Sequence, residues 1–179
     1  SCVDIIVDIY YNKMIKDDVF ILSKGHAASA LYAVLELKGF KVPKPYPCHP
    51  ERDKNGGVFC STGSLGHGLS VACGVALAKP KNKVYVLLGD GECQEGSCWE
   101  ARNFIRFYNI KNIIAYVDNN KLQACGELKT ADNYDIWGWT VFDRETIKGK
   151  GISFMENNND WHYKAPNYQE YSNALKELL

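Results

Sequence analysis

Two oxygen-bearing side chains, Asp90 and Asn120, stand 30 residues apart in this sequence, and each follows a short apolar run. One carboxylate, one amide oxygen and a nearby backbone carbonyl make an incomplete oxygen shell, which Mg²⁺ accepts when phosphate oxygens and water complete it. Gly91 leaves room for a backbone to approach a diphosphate, and the helix start that follows offers free N–H donors and a positive dipole end. The pattern therefore predicts a site for a divalent metal and a diphosphate.

A β-α-β unit must position these two residues. The sequence predicts a strand over KVYVLLGD, a helix over SCWEARNFIRFYN and a second strand over NIIAYVDNN, because short apolar runs are typical of strands buried on both faces of a parallel sheet. The crossover of such a unit is nearly always right-handed. Ligands of parallel sheets bind at the carboxyl ends of the strands, so we expect Asp90 and Asn120 to lie at one edge of the sheet.

The remaining segments predict the same architecture. Apolar residues at helical spacing over residues 3–15 predict a helix, VFIL predicts a strand, and a further helix is expected from about Ala27 to Leu37. STGSLGHGLSVACGVALA predicts a glycine-rich turn that opens a helix of small residues, and KVPKPYPCHPERDKNGG predicts a loop. Because the chain has 179 residues and 46% apolar content, we expect one domain over residues 1–179 of the α/β class, a three-layer, doubly wound parallel sheet.

Composition argues against several classes of partner. The 21 basic and 21 acidic residues balance, and no basic cluster is longer than KPKNK, so we expect neither nucleic acid nor a membrane as a partner. No apolar stretch approaches the ~20 residues that span a bilayer, which favours a soluble, cytoplasmic protein. The cysteines number seven, and Cys93 and Cys98 lack the C-x-x-C spacing of a zinc or redox site. Free thiols in a reducing compartment are the favoured interpretation.

The last third of the chain fits this pattern less well. GWTVF predicts a strand and ETIKGKG the end of another, yet only Asp143 and Arg144 separate them. Adjacent parallel strands need a crossover of about 12 residues or more. Either these segments form one continuous strand, or residues of the protein are absent from the sequence between residues 142 and 145. We favour the second alternative, and we expect the same at residues 40–56.

The segments GDGECQEGSCWEA and NIIAYVDNNKLQACG closely resemble the thiamine diphosphate motif of transketolases. SKGHAASALYAVLELKGF, CHPE, STGSLGHGLSVACG, TIKGKGISFMENNNDWH and KAPNYQEY resemble further transketolase segments in the same order. The similarity covers nearly the whole chain. It implies the thiamine-diphosphate-binding fold, with thiamine diphosphate as the cofactor and Mg²⁺, or Ca²⁺ or Mn²⁺, as its metal.

The resemblance also implies roles for individual residues. Asp90 and Asn120 bind the metal, together with the backbone carbonyl of Leu122. The residues expected to contact the cofactor are His26, Gly63, Leu65, Gly91, Glu92, Asn120 and His162. The residues expected to take part in catalysis are His26, His49, His162, Glu95 and Glu100.

Glu95 and Glu100 belong, by the same resemblance, to a buried acidic network that links the two active sites of a dimer. Carboxylates held close together cannot all ionise, so some would share protons. Without the resemblance, these two residues would be interpreted as solvated acids near a helix start, where the helix dipole favours them. His67 stays outside the expected catalytic set, because related sequences often have glutamine at that position.

Nothing in this sequence resembles the pyrimidine-binding domain of the family. We therefore expect the chain to be the N-terminal subunit of a split transketolase, which transfers a two-carbon ketol unit from a ketose to an aldose. The expected partner is a C-terminal transketolase subunit carrying the pyrimidine-binding domain, in an α2β2 heterotetramer, and the expected substrates are sugars or sugar phosphates. The family's G-H-x-G segment would precede SCVDIIVDIYY, where this sequence begins.

Two alternatives remain open at this stage. One is a subunit of another thiamine diphosphate enzyme, of the 1-deoxyxylulose-phosphate synthase or the 2-oxo-acid decarboxylating type, although HPE and the WH segment favour transketolase. The other is a regulatory subunit that binds cofactor and partner without turnover.

Overall fold

A computed structural model of the chain describes residues 1–128 and 141–179. Its main sheet has four parallel strands in the order β1-β2-β3-β6. These are β1 (Val19–Leu22), β2 (Val84–Gly89), β3 (Ile113–Asn119) and β6 (Val141–Glu145). A short antiparallel hairpin, β4 (Leu122–Gln123) and β5 (Gly126–Glu127), follows β3. The expected parallel α/β sheet is confirmed.

Five α-helices accompany the sheet in the described residues. They are α1 (Val3–Asp8), α2 (Ala28–Leu37), α3 (His67–Ala78), α4 (Gly96–Phe107) and α5 (Tyr168–Leu178). α1 continues as a π-helical turn over Ile9–Lys13, and 3-10 turns cover Gly25–Ala27, Gly91–Gln94 and Asn159–His162. Across residues 1–128 and 141–179, no helix combines the length and the apolar character that crossing a bilayer requires.

Two apolar cores lie on opposite faces of the sheet, as the alternation of side chains along a strand requires. Val84, Val86 and Leu88 of β2 belong to the core that includes residues of α3 and α4. Tyr85 and Leu87 belong to the other core, which includes residues of α1 and α2. All six residues of β2 are buried. This is the predicted three-layer arrangement, and it explains why the run VYVLL contains no polar residue.

The strand β6 runs without interruption through Asp143 and Arg144. It pairs in parallel with β3, from Ala115 opposite Val141 to Asn119 opposite Glu145. One strand thus crosses Asp143 and Arg144 in this structure, and the expectation that residues of the protein are absent from the sequence here stays a prediction. The chain from residue 120 to residue 140 supplies the connection that a parallel pair needs, although residues 129–140, with most of GWTVF, lie outside the described residues.

Candidate active site at the carboxyl edge of the sheet

Asp90 and Asn120 lie at the same edge of the sheet, as predicted. Gly89, the last residue of β2, is the register partner of Asp118 in β3. Asp90 is only 2% exposed. Its Oδ1 accepts a hydrogen bond from the Gly91 amide at 2.7 Å, and its Oδ2 accepts one from the Lys121 amide at 2.6 Å. This one carboxylate therefore joins the loop after β2 to the loop after β3.

Opposing effects act on the pKa of the Asp90 carboxyl group. Burial raises its pKa, while the backbone donors of Gly91 and Lys121 and the charge of Lys24 oppose this rise. A buried carboxylate with little solvent around it gains much when a cation approaches. The electrostatics of Asp90 thus suit a metal ligand.

Asn120 and Leu122 flank Lys121, whose amide donates to this carboxylate. Asn120 Oδ1 accepts a hydrogen bond from the Leu122 amide at 2.9 Å, and Asn120 Nδ2 donates one to Ser1 Oγ at 3.3 Å. The described residues hold no cluster of three or more His, Cys, Asp or Glu side chains suited to a metal. A set of one carboxylate, one amide oxygen and one backbone carbonyl contains only one such side chain, and its hard oxygen donors match the preference of Mg²⁺.

Gly91 packs closely against the hairpin β4–β5. A Cβ atom at this position would lie 3.0 Å from Cβ of Gln123. The missing side chain therefore allows the hairpin to approach the loop after β2. The role of Gly91 at a diphosphate stays a prediction, since its amide donates a hydrogen bond to Asp90 in this structure.

The three predicted histidines lie around neighbouring turns. The rings of His26 and His162 are 5.7 Å apart between centroids. His49 lies against Gly63, since a Cβ atom on that glycine would come within 3.2 Å of its ring. A Cβ atom on Gly25 would lie 2.9 Å from the Gly63 amide nitrogen. The structure thus brings together the His26, His49 and His162 segments, which are far apart in sequence.

The pKa values of His26 and His162 are both lowered, which favours the neutral form of each ring. Loss of hydration in the surrounding protein lowers the pKa of His26 to about 4, although part of its side chain remains exposed, and the charge of Lys24 acts in the same direction. Burial also lowers the pKa of His162, and Lys148 lowers it further. A neutral imidazole can accept a proton or a hydrogen bond, which an imidazolium cannot.

Sequence reasoning missed two lysines of this site, Lys24 and Lys148. Lys148 Nζ lies 2.7 Å from Nδ1 of His162 and 3.2 Å from Oδ1 of Asn159. Burial lowers the pKa of Lys148, and Lys24 lowers it further. Lys24 directly precedes a glycine in SKGH, and Lys148 does so in IKGKG. A lysine next to a glycine turn was the sequence pattern that could have indicated both residues. Lys148 adds positive charge where an anion is expected, whereas Asp118 balances the charge of Lys24.

Lys24 is held by a buried ion pair. Its Nζ lies 2.5 Å from Oδ2 of Asp118, and the aspartate is fully buried. Asp118 also accepts hydrogen bonds from the hydroxyls of Ser1 and Thr146. Burial by itself would raise the pKa of Asp118, but Lys24 outweighs this effect and holds the pKa below its ordinary value.

The turn that precedes α3 carries Gly63 and Leu65. Both residues are exposed, and the turn is tied to the end of β1 because Thr62 Oγ1 donates a hydrogen bond to the Leu22 carbonyl at 2.6 Å. Gly63 and Leu65 are therefore accessible to a cofactor, and their contacts with it stay predictions.

The three glutamates of the segment GDGECQEGSCWEA have different environments. Glu92 is 2% exposed, and both of its carboxylate oxygens already accept hydrogen bonds from protein groups. Its predicted direct contact with a cofactor is therefore disfavoured by this geometry. Glu95 and Glu100 are exposed in the single chain, so the predicted buried network would have to form with a second chain and stays a prediction.

Replacing Lys148 with methionine is expected to raise the pKa of His162, and that of His26 by a smaller amount, because the charge of Lys148 lowers both. Titration of the imidazole C–H resonances by NMR measures both values. Lys150→Met is the control, since Lys150 is exposed and pairs with Asp4. Unchanged histidine pKa values in Lys148→Met would contradict the described contact.

Comparison with known proteins places this geometry in context. Residues 7–158 match the family described as "Transketolase, thiamine diphosphate binding domain". The chain is 32% identical to an apulose-4-phosphate transketolase subunit of Phocaeicola vulgatus over 235 residues, covering 99% of the chain and 83% of that protein. It is 34% identical to the transketolase of Homo sapiens over 194 residues, covering 83% of the chain but 31% of that protein.

Solved structures show the same fold. The transketolase of Campylobacter jejuni superposes with a TM-score of 0.74 at 24% identity, covering 90% of this chain and 34% of that one. The transketolase of Leishmania mexicana gives a TM-score of 0.73 at 22% identity, covering 83% and 32%. The chain therefore spans about a third of these transketolases and most of the Phocaeicola vulgatus protein.

Proposed function

We propose a function on the premise that this chain belongs to the transketolase family, whose thiamine diphosphate binding domain covers most of it. The expected family, fold and enzyme class are thereby confirmed, and the chain corresponds to the N-terminal part of a transketolase-type enzyme. The proposal concerns how this part works: it is the diphosphate-binding subunit of a split enzyme, and it transfers a two-carbon ketol unit from a ketose to an aldose together with a partner chain.

The observation that carries the proposal is the link between the loops after β2 and β3. Asp90 spans these loops through the Gly91 and Lys121 amides. Asp90, Asn120 and the Leu122 carbonyl would hold a divalent cation, with Mg²⁺ favoured by the oxygen donors. The diphosphate of the cofactor would lie against Gly91 and near the charge of Lys148, while the Gly91 amide itself donates to Asp90 Oδ1.

Thiamine diphosphate, when bound, supplies a nucleophilic ring carbon that makes and breaks the carbon–carbon bond beside a carbonyl. The chain's own residues bind, orient and move protons. Because lowered pKa values favour the neutral form of His26 and His162, their ring nitrogens can accept protons from substrate hydroxyls or donate hydrogen bonds to them, depending on tautomer. Lys148, next to His162, adds a positive charge that favours anionic groups of the cofactor or of a sugar phosphate.

The partner in this proposal is a C-terminal transketolase subunit that carries the pyrimidine-binding domain. Two relatives support it, because both are named as subunits. The chain covers 83% of the apulose-4-phosphate transketolase subunit of Phocaeicola vulgatus. It covers 76% of the 6-deoxy-6-sulfo-D-fructose transketolase subunit SqwG of a Clostridium species, to which it is 32% identical. The exposed positions of Glu95 and Glu100 leave both available to a second chain in an α2β2 heterotetramer.

The substrates in this proposal are sugars or sugar phosphates. The relatives act on different sugars by their names, so the acceptor is left open. We also propose a reducing compartment, the cytoplasm, because the seven cysteines, which all lie in the described residues, form no disulfide. The alignment with the Phocaeicola vulgatus protein extends over 235 positions, more than the 179 residues of this chain. We infer that the natural subunit has further segments, and residues 40–56 are one candidate place for them.

A reconstituted enzyme tests the proposal. The chain is purified with its partner subunit, supplied with Mg²⁺ and thiamine diphosphate, and assayed for transfer from a ketose to a series of aldoses. Ketol transfer supports the proposal. Release of CO₂ from a 2-oxo acid would instead indicate a decarboxylating or 1-deoxyxylulose-phosphate synthase type of enzyme, and cofactor binding without any turnover would indicate a regulatory subunit.

A further inference from the structure

Glu92 is a buried carboxylate to which the proposed mechanism gives no task. It is only 2% exposed. Its Oε1 accepts hydrogen bonds from Ser23 Oγ at 2.5 Å and from the Gly66 amide at 2.8 Å. Its Oε2 accepts one from the Gly89 amide at 3.0 Å. Three donors from three separate segments therefore meet on one side chain.

Each of these segments carries residues of the proposed site. Ser23 begins the loop after β1, which leads to His26. Gly66 ends the turn that carries Gly63 and Leu65. The third donor, at the end of β2, directly precedes Asp90 and Gly91. The hydrogen bonds of Glu92 thus connect the segments of a predicted catalytic histidine, of the predicted cofactor contacts and of the predicted metal ligand.

The same segments are packed too closely to shift independently. A Cβ atom on Gly68, in the first turn of α3, would lie 2.5 Å from Ser23 Oγ. A Cβ atom on Gly66 would overlap with Ser97 Oγ. Because the neighbouring loops touch in this way, a displacement of one donor of Glu92 is passed on to the others.

The two acceptor oxygens of Glu92 suit this position better than an amide group would, although burial raises the pKa of its carboxyl group. Gly66 is the N-cap of α3 and has no side chain with which to satisfy the helix start, so a carboxylate nearby is favoured by the helix dipole. A glutamine in the same place has only one acceptor oxygen. Its NH₂ group would face at least one of the three donors, and that hydrogen bond would be lost.

We propose that Glu92 is a positioning residue, whose buried carboxylate holds the loops after β1 and β2 and the turn before α3 in the arrangement that cofactor binding requires. This inference rests on the proposed function, because it assigns Glu92 a task in the same thiamine diphosphate site. It replaces the direct cofactor contact that the resemblance implied for this residue.

The test compares Glu92→Gln with the unaltered chain, both assembled with the partner subunit. We expect the Kd of thiamine diphosphate, measured at saturating Mg²⁺, to rise about 10-fold through the loss of a charge-assisted hydrogen bond. At saturating cofactor, kcat should stay near that of the unaltered enzyme, since Glu92 touches no reacting atom. Ser23→Ala, a milder change to the same contact, should raise the Kd about 2- to 3-fold, and adding it to Glu92→Gln should have little further effect.

Ile110→Val controls for a general loss of stability. Ile110 is a core residue that precedes β3 at the opposite, amino edge of the sheet. It should lower the Tm and leave the Kd of the cofactor unchanged. The inference is overturned if Glu92→Gln binds the cofactor as the unaltered chain does, or if Ile110→Val weakens binding equally. Should Glu92→Gln fail to fold, an unchanged Kd in Ser23→Ala would overturn it as well.

The two levels of the hypothesis fail in different ways. If the unaltered complex binds no thiamine diphosphate, the proposed function is wrong and the inference falls with it. If the unaltered complex binds the cofactor and transfers ketol units but Glu92→Gln has the same Kd, only the role of Glu92 is wrong.

Discussion

Asp90→Asn is expected to weaken metal-dependent binding of thiamine diphosphate by at least about 100-fold, since the loss of residues that merely support a metal ligand already costs about 10- to 100-fold. The substitution keeps the shape of the side chain and removes the charge that a divalent cation needs. Isothermal titration of the cofactor in the presence of Mg²⁺, with the partner subunit present, measures the effect. Asp90→Ala should be at least as severe, because it also removes the acceptors of the Gly91 and Lys121 amides.

Stability measurements separate this effect from unfolding. Asp90→Asn replaces one of the two acceptor oxygens by an NH₂ group that would face the Gly91 or the Lys121 amide, so we expect a modest fall in the Tm of the metal-free chain. Burial raises the pKa of Asp90, so its carboxylate takes up a proton at a higher pH than an ordinary aspartate does. As the pH is lowered, the affinity of the unaltered protein for the cofactor should therefore begin to fall early. Asp17→Asn is the matched control, since Asp17 is exposed and its positive φ of 76° suits asparagine. An Asp90→Asn variant with normal metal-dependent affinity would remove Asp90 from the metal site.

Asp118→Asn should lower the free energy of unfolding by about 3–5 kcal/mol, because it leaves Lys24 buried without a negative partner. The ion pair joins the loop after β1 to β3 through a contact of 2.5 Å between two almost inaccessible groups. Denaturant unfolding followed by circular dichroism measures the loss. The double variant Lys24→Met/Asp118→Leu should recover part of it, since two apolar side chains remove both buried charges.

The pH dependence of stability gives an independent check on this ion pair. The pKa of Asp118 is held below its ordinary value of 3.8, so its contribution is present above that pH and is lost as the pH falls further. Burial by itself would lower the pKa of Lys24, but Asp118 outweighs this effect and raises the pKa above the ordinary value of 10.5. The contribution of Lys24 to stability is therefore lost only in strong alkali. Asp4→Asn breaks an exposed pair with Lys150 and should change stability little. Equal losses in Asp118→Asn and Asp4→Asn would contradict the account.

The sequence was sufficient to predict the β-α-β unit and the edge on which Asp90 and Asn120 meet. Both follow from short apolar runs that end in polar residues, because buried parallel strands leave few other patterns. The helix of small residues after the glycine-rich turn was equally visible, and it is α3. These features are encoded locally, within about 10 residues of one another, or follow from general rules of parallel sheets.

Contacts between distant side chains were beyond the reach of sequence patterns. The pair of Lys24 and Asp118 joins residues 94 positions apart, and the contact of Glu92 with Ser23 spans 69. A lysine or a glutamate is usually solvated, so nothing local marks these as buried. The pairing of β6 with β3 is also a tertiary contact, which the spacing of GWTVF and ETIKGKG does not reveal.

The backbone amide of Lys121 lies between β3 and β4, outside both strands, and it donates its hydrogen bond to the side chain of Asp90. Such an amide exchanges with deuterium only when the carboxylate releases it. Its rate of isotope exchange therefore reports on the state of the Asp90 carboxylate, and it can be followed without cofactor or substrate.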